Sequence, residues 1–170
     1  MNWFDVYNPK AGIWTKLPDA PRARDHFQVA ITDGKLVAAA GRRSGFDGRT
    51  FAAVIKEVDV YDFDFDKGAW MTLPSPEGDV PTPRAGTASL TIGDEYLVIS
   101  AESGSRKPAN SEVEAFDPCK GTWRSLPPLS TGRHESQPIL FEGSHASLPA
   151  DSITRGGTET DSQEVREIRS

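Results

Sequence analysis

The chain has 170 residues and a formal net charge of −6, with 36% hydrophobic residues, four Trp, three Tyr and eight Phe. The negative balance argues against a role on phosphate backbones or anionic membranes, the aromatic supply excludes wholesale disorder, and no apolar run reaches membrane-spanning length. One cysteine, Cys119, excludes an internal disulfide framework and a thiolate metal cluster. With no signal-peptide pattern in Met1 to Tyr7, a reducing, cytoplasmic setting is expected.

Phe4 to Tyr7 alternates as a strand, Asn8 to Gly12 has turn composition, and Ile13 to Leu17 reads as a second short strand stopped by Pro18. A longer unit opens at Arg24. Phe27 to Thr32 is a strand, Asp33-Gly34 a hairpin turn, and Lys35 to Gly41 a small-apolar strand suited to burial on both faces. Arg42 to Arg49 has the Gly and charge content of an exposed loop; Val54 to Tyr61 and Ala69 to Leu73 complete four strands. The order then returns: Thr87 to Ile92, the turn Gly93-Asp94, Tyr96 to Ser100, a loop from Glu102 to Asn110, Val113 to Phe116, the turn Asp117 to Gly121, and Trp123 to Leu126. A third unit begins at Arg133 with Gln137 to Phe141 and the turn Glu142-Gly143. There the pattern fails, since Ser144 to Pro149 stands where a buried strand is due. Residues 144–161 are expected to be poorly ordered, with Ser162 to Ile168 a candidate third strand.

Three copies of Trp-x-x-Leu-Pro, at Trp14, Trp70 and Trp123, recur with a period of about fifty residues, which is the signature of a repeat architecture. Four antiparallel strands per period is one blade of a β-propeller, whose two apolar faces are buried only by stacking on neighbours. The expected fold is therefore all-β: a half blade over 4–17, blades over 24–73 and 84–126, the start of a further blade over 133–143, and a degenerate remnant or flexible tail over 144–170. This is about three blades of an incomplete propeller. Tyr7, Trp14, Tyr61, Trp70, Phe116 and Trp123 are the expected wedges between blades.

These features resemble the kelch repeat, also found in the propeller of galactose-oxidase-like proteins. The matching elements are the Tyr or Phe before a turn, the Trp after it, Leu-Pro, and the Arg that opens the next unit. Kelch second strands normally end in Gly-Gly, and here those positions read Ala40-Gly41 and Ser100-Ala101. The resemblance implies a protein-binding scaffold without catalysis, cofactor or metal, whose partner is a protein, with an acidic peptide as one form of it. Closure of the fold would require further blades or self-association.

The resemblance places Arg24, Arg84 and Arg133 at one mouth of the channel, with Arg42, Arg43 and Arg106 in loops lining the same mouth. A convergent arginine set suits a carboxylate, which the guanidinium fork binds in bidentate fashion. The alternative for the three repeated arginines is structural, tying loop carbonyls together within each blade. His26 and His134, with Asp25 and Glu135, form a weaker candidate for a metal or acid–base pair at that mouth. The copper site of galactose oxidase is not expected, because Cys119 sits in an outer turn. Asp62 to Gly68 has alternating acids but lacks the closing Glu of a calcium loop, and reads as a lengthened turn over Phe63 or Phe65. The competing functions are a carbohydrate-active or sugar-isomerising enzyme of the galactose-oxidase-like group, and a fragment with no ligand.

Overall fold

The computed structural model describes residues 2–45, 53–63, 68–104, 106–142, 145–149, 151–154, 157 and 159–167. It is built from antiparallel sheets. Strands β1 (Asp5–Asn8) and β2 (Ile13–Lys16) form a hairpin, and β3 (Val29–Thr32), β4 (Lys35–Ala38), β5 (Asp59–Asp62) and β6 (Ala69–Thr72) form blade one in that order. Blade two is β7 (Ala88–Ile92), β8 (Glu95–Ser103), β9 (Arg106–Asp117) and β10 (Thr122–Leu126). A third sheet, blade three, pairs β11 (Ile139–Phe141), β12 (His145–Leu148) and β13 (Glu164–Glu167).

The alternation of side chains along the middle strands explains the stacking. In β4, Leu36 and Ala38 face the hairpin while Val37 looks to blade two. In β8, Tyr96 and Val98 face blade one, while Leu97 and Ile99 look to blade three. A period of two on a strand buried from both sides demands this continuous apolar run. Full burial of a side chain such as Leu97 or Ile99 stabilises by about 1.5–3 kcal/mol.

Two expectations are corrected. The first concerns the poor order expected over 144–161: His145–Leu148 forms strand β12, with Ala146 and Leu148 both 1% exposed, and it pairs in register with β13, inside the expected Ser162 to Ile168 strand, Leu148 opposite Glu164. The β11–β12 connection is one residue longer than its counterparts, with Phe141 opposite His145 where Thr32 is opposite Lys35. That insertion turns Ala146 and Leu148 toward blade two, so two apolar residues suffice and the segment needs no continuous run. The second concerns the loop from Glu102 to Asn110. Most of it is strand, because β8 and β9 continue as a hairpin to Ser103 opposite Arg106. Of the acidic turn, Asp64 to Lys67 lie outside the described residues, as do residues 46–49 of the Arg42 to Arg49 loop. Phe63 does pack on Tyr61, with ring centroids 5.2 Å apart.

The second strands end in a conformation that accounts for the departure from Gly-Gly. Ala40 and Gly41 have φ of 60° and 89°, and Ser100 and Ala101 have φ of 53° and 137°. Glycine adopts these values freely, whereas a side chain is strained there. Ser100 has a compensation, since its hydroxyl donates to the Asn110 carbonyl at 2.6 Å and accepts from the Arg133 amide at 2.6 Å. Ala101 has no polar side chain with which to compensate. Ala101→Gly should therefore raise stability by about 1 kcal/mol in urea unfolding, despite the added chain entropy of glycine. A loss of stability would show that the strain at this residue is illusory.

Candidate functional site

The three repeated arginines occupy equivalent places, and none presents its guanidinium to solvent. Arg84 is 0% exposed: Nε donates to Ser100 O at 2.8 Å, Nη2 to Val98 O at 2.9 Å, and Nη1 to Thr82 O at 2.7 Å and Glu114 Oε2 at 2.5 Å. Arg24 donates to Ala40 O at 2.8 Å and to Asp59 Oδ2 at 2.5 Å, with its side chain 4% exposed. Burial lowers its pKa and the Asp59 carboxylate works against that shift. Arg133 donates to Ser162 O at 2.8 Å and lies 3.7 Å from Glu164 Oε2. Each arginine thus reaches from the start of its blade to a carboxylate on the third strand, and ties strand-end carbonyls on the way. Asp59, Glu114 and Glu164 are the residues that sequence reasoning missed. Their signal was available, since Asp59 and Glu114 each stand two places before the aromatic of their strand.

Arg42 is also buried and also paired, with its Nη1 on Glu102 Oε1 of blade two. Arg43 is exposed beside it, while Arg106 opens β9 at the hairpin tip. Arg24, Arg84, Arg133 and Arg42, each turned onto a carboxylate of the chain itself, therefore do not converge on one open space. What does converge lies just past each repeated arginine. Asp25, Ala85 and His134 bridge to Arg42, Glu102 and Ser152 respectively, which brings the start of each blade beside the end of its second strand. The next residues, His26, Gly86 and Glu135, all have positive φ, and their backbones join the blades: Gly86 N donates to His26 O at 2.6 Å, and Glu135 N to Gly86 O at 2.8 Å. Inside this line, Gln28 of blade one accepts from the Ser89 amide at 2.7 Å and donates to Gln137 of blade three at 2.8 Å.

Around that inner line sits a polar cluster drawn from all three blades. Asp25 Oδ1 lies 2.5 Å from His26 Nδ1 and accepts from the Ser44 hydroxyl at 2.8 Å, while Oδ2 accepts from the Ser44 amide at 2.9 Å. Partial burial pushes the Asp25 carboxyl up, but the donors from Ser44 and His26 outweigh it and hold the group below the usual carboxylate range. His26 Nε2 is 3.6 Å from Glu135 Oε1, and His134 Nε2 is 3.9 Å from Glu102 Oε2. The structure accordingly brings His26, Asp25 and Glu135 together. It keeps His134 apart from them, bonded to Thr154 O at 3.0 Å. Among the described residues no group of three or more His, Cys, Asp or Glu is placed to hold a metal ion. The Asp25, Glu135 and His26 side chains are 40%, 52% and 32% exposed, so this end of the blades can be touched from outside.

Radially stacked, antiparallel four-stranded sheets with their inner strands meeting at a polar end define a β-propeller portion. No protein-family model matches the chain. It is 29% identical over 159 residues to Kelch-like protein terF of Aspergillus terreus, a match covering 92% of this chain and 32% of that protein. It is 27% and 30% identical to Beta-scruin and Alpha-scruin of Limulus polyphemus, covering 71% of this chain and 12% of each scruin. The chain therefore spans about a third or less of these curated relatives. The solved structure of YjhT superposes with a TM-score of 0.75 at 15% identity, over 99% of this chain and 50% of that one. The chain is a partial kelch-repeat propeller. No helix among the described residues is long and apolar enough to cross a membrane.

Proposed function

We propose that the chain is a non-catalytic protein-binding scaffold, and that it meets its partner at the polar end of the blades around His26. The observation that carries this reading is how the charges are distributed. Arg24, Arg84, Arg133 and Arg42 are occupied by carboxylates of the same propeller, whereas Asp25, Glu135 and Arg43 remain accessible at that end. The likeness to Kelch-like protein terF supports a scaffold role. The exposed carboxylates suit a partner segment with a cationic side chain more than a purely acidic peptide; Arg43 is an exposed cation at this end among the described residues. The test is an array of acidic, neutral and basic peptides probed with the wild-type chain and with the Glu135→Arg, Arg43→Glu double variant. A changed set of retained peptides at unchanged melting temperature is the expected result. Identical profiles would place the binding surface elsewhere.

One observation favours a second reading, a sugar-acting enzyme. His26 is held between two carboxylates, Asp25 and Glu135, as an acid–base pair would be. That reading requires a sugar that stabilises the folded chain by mass action. A flat melting temperature across a panel of sugars at millimolar concentration removes it.

A further inference from the structure

The residues that join the blades at the polar end have φ of 54° at His26, 71° at Gly86 and 67° at Glu135. Glycine fits that backbone and blade two has it, whereas a residue with a Cβ is strained there. Blades one and three nevertheless hold a histidine and a glutamate, and such strain gathers where a side chain has a task. Their backbones are tied through Gly86, whose amide donates to His26 O and whose carbonyl accepts from Glu135 N. Gly86 also leaves the glutamate room, since a Cβ on it would come within 3.4 Å of Glu135 Cγ. The tie sets the two side chains face to face, His26 Nε2 lying 3.6 Å from Glu135 Oε1.

The proton on this ring is placed by its other neighbour. An ionised Asp25 carboxylate can only accept, so the 2.5 Å contact at His26 Nδ1 has the ring donating there. In the neutral imidazole a proton on Nδ1 leaves Nε2 an acceptor. Nε2 and Glu135 Oε1 are then two acceptors facing across a gap, and among the described residues no side chain donates to either. The nearby charges are engaged elsewhere. Arg42 bonds Glu102 and Ser44, with its Nε 3.7 Å from Asp25 Oδ1. His134 bonds Thr154 O and lies 3.9 Å from Glu102, Arg24 turns inward to Asp59, and Arg43 is exposed on the Arg42–Ser44 segment. Two things can fill the gap: a proton on Nε2, or an N–H group brought from outside.

We propose that His26 Nε2 and Glu135 Oε1 form a binding site for the cationic N–H group of a partner's lysine or arginine, and that a proton on His26 competes with it. The inference rests on the reading that the polar end is the partner surface, and adds the contact and its control. With the ring neutral, the ammonium or guanidinium donates to both atoms and lies against the Glu135 and Asp25 carboxylates, a charge-assisted bond. With the ring protonated, Nε2–H donates to Glu135, the carboxylates are neutralised from within, and an arriving cation meets an imidazolium. One cation exchanges for one proton, so each weakens the other by the same factor. Imidazole is the side chain that changes charge between about pH 5 and 8. The sign follows: the site is open on the alkaline side of that window and closes as the pH falls through it.

Three capped tripeptides test it: acetyl-Gly-Lys-Gly-amide, acetyl-Gly-Arg-Gly-amide and the neutral acetyl-Gly-Gln-Gly-amide. Each is titrated into the isotope-labelled full chain while the amide resonances of His26, Gly86 and Glu135 are followed. A cationic probe should bind at about pH 7.5 and about 10-fold more weakly at about pH 5.5, and the glutamine probe should leave these amides unmoved. Binding of only one of the two cationic probes also supports the site and names its residue. His26→Asn, with a residue that tolerates positive φ, should abolish the pH dependence, and Glu135→Gln should weaken binding at about pH 7.5. Both side chains are partly exposed, so the circular dichroism of each variant should match wild type. Silence from both cationic probes, equal shifts from all three, affinity that rises with acid, or a pH dependence kept in His26→Asn each overturns the proposal. A proton-sensitive probe alongside a peptide array unchanged by Glu135→Arg, Arg43→Glu retires the partner reading and leaves this site standing; silent probes with a changed array do the reverse.

Discussion

Arg84→Ala should destabilise the chain by about 3–5 kcal/mol, the range for removing one partner of a buried ion pair, and on a domain with this little core it should prevent folding at physiological temperature. The guanidinium is fully buried, and its loss strands the Glu114 carboxylate and the carbonyls of Ser100, Val98 and Thr82. The pair itself contributes far less than its removal costs, because two charges were taken out of water to form it. Arg84→Met combined with Glu114→Leu should consequently recover a large part of the loss. Urea unfolding of the three proteins decides the matter. A single variant as stable as wild type would show that the tie is ornamental, and a double variant worse than the single would show that the carbonyls matter more than the charge.

Phe116→Ala should lose about 3–5 kcal/mol, as large aromatic truncations in a core do. Its ring is 0% exposed between blades one and two, beside Val58, Val60 and Trp123, so blade one must follow it or leave a cavity. Tyr7→Ala, the same change at the equivalent position on the hairpin, should cost the isolated chain under about 1 kcal/mol, because Tyr7 is already half in solvent. Thermal unfolding in dilute solution compares them directly. Similar losses at both positions would mean that repeat equivalence, and not burial, sets the penalty.

The scaffold was legible in the sequence because its signals are local. Trp-x-x-Leu-Pro, the Asp33-Gly34 and Gly93-Asp94 turns and the apolar run Lys35 to Gly41 each declare themselves within a few residues. The β12 strand was illegible because one extra residue in the preceding turn shifted the facing of His145 to Leu148, and only Ala146 and Leu148 then needed to be apolar. The β8–β9 extension was hidden for a different reason: backbone pairing holds it, so its side chains carry no alternation. The arginines were found, but their environment was not. Whether Arg24 or Arg84 faces solvent depends on Asp59 or Glu114, at least thirty residues further along and on another strand. The polar end was partly seen in His26, Asp25 and Glu135. The equivalence of His26 with Gly86 and Glu135 became plain only from their shared positive φ.

The facing of the aromatic pairs has a consequence for heredity. Tyr61 and Trp70 point backward onto the hairpin, and Phe116 and Trp123 point backward onto blade one, while each blade keeps its arginine and carboxylate to itself. Blades one and two are thus each a plug on one side and a socket on the other, with their internal fastening supplied. A tandem duplication of one unit's coding stretch would insert a blade whose two faces already fit their new neighbours. Length in such a chain can change by whole blades in a single genetic event, and only the ring as a whole must readjust.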